Sequence, residues 1–102
     1  MQDKQSVAAI MDDELGELRI LIDRYKGLRD AEDIDGMNEL RPELIRQMQG
    51  CHTVIGGYLS DGLFSGNEGR DWMARLRALG AEVAELAPHK GTPARTTALT
   101  FI

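Results

Sequence analysis

One cysteine, three prolines, five aromatic residues and no long apolar run are what this chain is short of, and each scarcity removes a class of protein. With Cys51 alone there is no intrachain disulfide and no Cys-x-x-Cys metal or redox pair, so the fold must hold without covalent staples. No apolar stretch approaches the ~20 residues needed to cross a bilayer. The opening MQDKQSVAAIMDDELG lacks a basic region followed by an apolar core, so no signal peptide is expected. These absences predict a cytoplasmic protein without stable membrane insertion. Threonine and valine are scarce before the last residues, which disfavours a sheet. Basic residues are also in deficit. The net charge of -5 argues against binding nucleic acid through its phosphates. The deficit is local: residues 1–35 hold 10 acidic and 5 basic side chains, whereas 36–60 and 61–102 are each balanced.

Helical periodicity is abundant. Met11, Leu15, Leu18, Ile22 and Tyr25 follow steps of 4, 3, 4 and 3, with Leu28 continuing the row, so an amphipathic helix is expected from about Val7 to Ala31. Ile20 and Leu21 widen its apolar face, and with Leu18 and Ile22 they predict a surface through which the protein self-associates as a homodimer. Glu17, Arg19, Asp23, Arg24 and Lys26 read as a solvated face. The acidic interruption Ala31-Glu32-Asp33 reads as a turn. Asp33 or Asp35 is the N-cap of a second helix, placed to accept from free N–H groups at the positive end of the helix dipole. Leu40, Leu44, Met48, Cys51, Ile55 and Tyr58 carry the stripe across Pro42. Two arrangements fit: one helix over about 34–60, kinked at Pro42, or a break with Pro42 in a new first turn. The unbroken stripe favours the single helix. Gly50 and Gly57 share a face, which means either a close approach by another helix or a weakened helix end.

Ser60 to Gly69 is a turn by composition, and Leu63 and Phe64 within it either plug the end of the bundle or face a partner. Ser65 and Glu68 have capping-box spacing, so a third helix starts there. Trp72, Leu76, Leu79, Val83 and Leu86 form its stripe, with Met73 alongside, and Pro88 and Gly91 end it. The expected fold is all-α: an antiparallel three-helix bundle or extended helical hairpin. A single helical domain over 1–90 is followed by a mobile tail over 91–102.

Chemistry is hard to place on this pattern. Cys51 and His52 are adjacent and point about 100° apart on a helix, so they do not chelate. His89 has no partner at metal-ligand spacing, and Cys51 has no nameable base. GLFSGNEG lacks the Gly-Lys-Ser/Thr ending of a phosphate loop. No catalytic residue, metal or cofactor is expected.

Two resemblances bear on function. LGELRILIDRY, Leu15 to Tyr25, resembles the opening of helical chorismate mutases at Leu15, Leu18, Arg19, Ile22 and Asp23, which would make Arg19 a clamp for a substrate carboxylate. The lysine expected further along is replaced by Leu28-Arg29-Asp30. LRDAEDIDGMNELRPELIRQM, Leu28 to Met48, is similar to the first-turn region of FliT/FlgN-type flagellar export chaperones of type III secretion, with Asp33, Asp35, Met37 and Leu40 in place. It departs at Glu32, where glycine is usual, at Ile34 and at Pro42. That resemblance implies a chaperone, not an enzyme, which holds the amphipathic helix of a protein client in a groove formed by the second and third helices. Ile55, Tyr58, Leu59, Leu63, Phe64, Trp72, Met73 and Leu76 are the candidate contacts, and roughly half of them are expected to be ordinary core. A helical dimer without a client remains the structural alternative.

Overall fold

The computed structural model describes residues 3–87. Three helices account for nearly all of them: α1 (Lys4–Asp30), α2 (Ile34–Ser60) and α3 (Gly66–Leu86). Gln47 Nε2 reaches the Glu14 carbonyl at 3.1 Å and Arg41 reaches the Tyr25 hydroxyl at 3.2 Å, so α1 and α2 run antiparallel. Lys4 meets Glu68, Asp12 meets Arg75 and Arg19 meets Glu82, so α3 returns parallel to α1. The result is an up-down-up three-helix bundle. The expected tail and His89 lie outside the described residues.

Local chemistry sets each boundary. Asp33, and not Asp35, caps α2: the Gly36 N–H donates to its Oδ1 at 3.0 Å. A methyl group on Gly36 would lie 2.6 Å from that carboxylate. The end of α1 closes with Asp33 N–H on the Leu28 carbonyl at 2.9 Å and Glu32 N–H on the Arg29 carbonyl at 3.0 Å. This wrap requires a left-handed residue, and Glu32 supplies it at φ +57°. The chaperone pattern has glycine at this position. The matching turn after α2 does use glycine, Gly62 at φ +76°. Both arms of the α3 capping box are present: Glu68 N–H donates to Ser65 Oγ at 3.2 Å, and Ser65 N–H donates to Glu68 Oε1 at 2.8 Å.

α2 runs through Pro42 as one helix, because Leu40, Leu44, Cys51 and Ile55 on either side of the proline are all buried in one core. That core also takes Met11, Leu18, Ile22 and Tyr25 from α1 and Leu76 and Val83 from α3. Each fully buried aliphatic side chain contributes roughly 1.5–3 kcal/mol by leaving water. The buried Cys51 thiol donates to the Glu14 carbonyl at 3.3 Å, and burial, with the nearby Glu14 charge, pushes its pKa up to about 11. The raised value keeps Cys51 in its thiol form within the core.

The wide apolar face of α1 is mostly consumed by this packing. Leu18, Leu21 and Ile22 are buried, and of the four residues expected to drive self-association only Ile20 is exposed, at 54%. The glycine expectation also changes. A Cβ on Gly57 would meet nothing within 4 Å and one on Gly50 would only graze Glu14 at 3.9 Å, whereas one on Gly80 would meet Met48 Cε at 2.9 Å. The close approach between α2 and α3 is therefore at Gly80.

Candidate partner-binding face

The residues expected to contact a partner separate into two groups. Ile55 and Leu76 are fully buried and Trp72 is only 9% exposed, so these three are core. Tyr58, Leu59, Leu63, Phe64 and Met73 are half-buried against that core and keep an outer surface. Phe64 packs edge-on to Trp72 with ring centroids 6.2 Å apart and planes at 63°. Lys4 lies over the Phe64 ring at 5.8 Å and Arg75 over the Trp72 ring at 4.6 Å. The loop thus closes the end of the bundle and still shows apolar surface.

Beside this end lies an open groove of about 710 Å³. Its wall on α2 is Leu59; its wall on α3 includes Met73, Ala74, Arg70 and Arg77, with Gly66 and Gly69 where side chains would otherwise fill the space. A Cβ on Gly69 would just touch Leu59 Cδ2 at 4.0 Å. Of the expected contacts, only Leu59 and Met73 line the groove; Tyr58, Leu63 and Phe64 belong to the neighbouring end of the bundle. The small residues and the two arginines were missed from the sequence. Their signal was present: positions 66, 69, 70, 73, 74 and 77 follow helical spacing along the flank of α3 next to the Trp72–Leu76–Val83 stripe.

A second, smaller groove of about 360 Å³ runs between α1 and α3, lined by Leu15, Gly16, Leu79 and the charged residues Asp12, Arg19, Arg75 and Glu82. Here the charges are matched. Arg75 bonds Asp12 at 2.8 Å, and Glu82 takes both Arg19 and Lys26, the latter at 3.0 Å. Arg19, then Lys26, hold the Glu82 carboxyl down to about 2. At the bundle end, Lys4 and the Ser65 N–H do the same for Glu68, also to about 2. Arg19 and Lys26 are therefore not merely a solvated face. Arg19 is also not an open carboxylate clamp, since Glu82 and Asp23 already occupy its guanidinium.

The charges along this seam alternate at heptad steps: Glu68, Arg75 and Glu82 on α3 face Lys4, Asp12 and Arg19 on α1. Sliding α3 by one heptad in either direction would set Arg75 against Lys4 or Arg19, like against like. The ladder specifies register more than it adds energy, as each exposed pair contributes only ~0.2–1 kcal/mol.

Among the described residues, no group of three or more His, Cys, Asp and Glu is placed to hold a metal ion, and no helix is long and apolar enough to cross a membrane. Compared with family models, curated proteins and solved structures, the chain matches none.

Proposed function

We propose that this chain is a cytoplasmic binding protein that holds an apolar helical segment of a protein client on its α2–α3 face, in the manner of the export chaperones its first turn resembles. The observation that carries this reading is the open groove walled by Leu59 and Met73, beside the bundle end where Tyr58, Leu63 and Phe64 keep part of their apolar surface. Such a face suits a client helix that lays an apolar stripe into a groove. Met73 suits it further, because a thioether side chain repacks around different shapes.

The test uses substitutions that separate binding from folding. Met73→Asp is expected to abolish capture of a helical client with little change in melting temperature, because Met73 is half-exposed. Phe64→Ala is expected to weaken binding and to lower stability by about 1 kcal/mol through the lost aromatic pair. Client affinity that survives both substitutions while Phe64→Ala lowers the melting temperature would make the loop only a bundle plug, and the reading would fail.

A further inference from the structure

We propose that the α2–α3 groove selects acidic amphipathic helices. The client segment lays its apolar side on Leu59, Met73 and Ala74 and directs carboxylates, one heptad apart, at Arg70 and Arg77. The proposal rests on the reading of this groove as a client site and names the kind of client.

The chain is acidic overall, at -5, and the arginines in the α1–α3 seam are matched by carboxylates. Arg70 and Arg77 are not. Both are exposed on the wall of the groove, and neither forms an ion pair among the described residues. Arg70 hydrogen-bonds an amide oxygen, Asn67 Oδ1, at 2.5 Å. Arg24, Arg41 and Arg46 also form no ion pair among the described residues, but they do not line this groove. Asp71 is the one acidic side chain on the wall, so the wall is net positive.

Geometry then sets the pattern. Residues seven apart on a helix lie on one side and about 10.5 Å apart along the axis. A partner helix aligned with α3 and carrying glutamates at i and i+7 repeats that distance. Each guanidinium can take a carboxylate through two parallel N–H donors. Gly66 and Gly69 leave room for the partner's backbone to come close. A helix with lysines at the same positions meets like charge at both.

Three synthetic amphipathic helices of about 18 residues, identical except for Glu, Gln or Lys at the two flanking positions, test this with the full chain by fluorescence anisotropy at low salt. The Glu peptide is expected to bind roughly tenfold tighter than the Lys peptide, with Gln between. Arg70→Glu with Arg77→Glu reverses the order, and Arg70→Gln with Arg77→Gln equalises the three peptides. Equal affinities for Glu and Lys peptides, both abolished by Met73→Asp, would overturn acidic selection and leave the client reading standing. No binding of any peptide would overturn both. A reversible dimer of the protein alone that the double Glu variant dissolves would assign the groove to a second copy and overturn the proposal.

Discussion

Along its α1 side, α3 meets an opposite charge at each heptad step; along its α2 side its own Gly69 and Gly80 lie against a leucine and a methionine. No ion pair joins α2 to α3 among the described residues. The contrast separates two tasks of packing. Alternating charges penalise a one-heptad slip in either direction, because it sets like charges together. A thioether against Gly80 and a leucine near Gly69 tolerate small displacements, because nothing there is directional. The first seam fixes where α3 sits, and the second leaves a face that can adapt.

The largest effect is expected from removing the buried aromatic of α3. Trp72→Ala should cost about 3–5 kcal/mol in denaturant unfolding, because Trp72 is core and also supports Phe64 and Arg75. A loss below ~1 kcal/mol would mean that α3 is not held at this end.

Glu82→Lys attacks the charged seam alone. It sets a cation against Arg19 and Lys26 and should cost about 1–2 kcal/mol, less in high salt. Arg19→Glu with Lys26→Glu in the same chain should restore most of the loss, and failure to do so would deny the ladder its role in register. The same seam has an acid signature. Glu82 lies at about 2 in the folded protein against an ordinary 4.5. Its depressed pKa contributes stability that is present above about 4.5 and is lost as pH falls towards 2. Melting temperature should decline through that window, and Glu82→Gln should flatten part of the decline.

Smaller effects probe single backbone positions. Glu32→Gly should stabilise by about 0.5–1 kcal/mol, since the left-handed geometry at +57° penalises a side chain more than glycine's extra unfolded freedom costs. Gly80→Ala should change stability by less than ~0.5 kcal/mol: the helix gains propensity, and the Met48 methyl at 2.9 Å has to swing aside. A large loss there would show that the α2–α3 seam is as rigid as its neighbour.

What the sequence disclosed follows from how local each feature is. The stripes through Leu15, Leu44 and Leu76, a cap at Asp33 or Asp35 and the capping box at Ser65 are written within a turn or two of chain, so they were legible, although the choice of Asp33 was not. So was the single helix through Pro42, because apolar residues hold one line on both sides. The ladder was not, because Arg19 and Glu82 are 63 positions apart and meet only once α3 has returned alongside α1. The groove was half legible: Leu59 and Met73 stand out as apolar, but its space comes from what Gly66 and Gly69 lack. Gly50 and Gly57 suggested a close approach that occurs at Gly80, because glycine spacing marks an available face and not the neighbour that uses it.

The alternating seam also bears on how much α3 depends on its covalent tether. Loop residues 61–65 contribute an end plug, but the position of α3 along α1 is encoded in Glu68, Arg75 and Glu82 themselves. A helix addressed in this way needs no peptide bond to find its place. Residues 65–87 supplied as a separate helix carry the same address, so the bundle is a natural candidate for splitting into two pieces whose one-heptad misalignments are disfavoured.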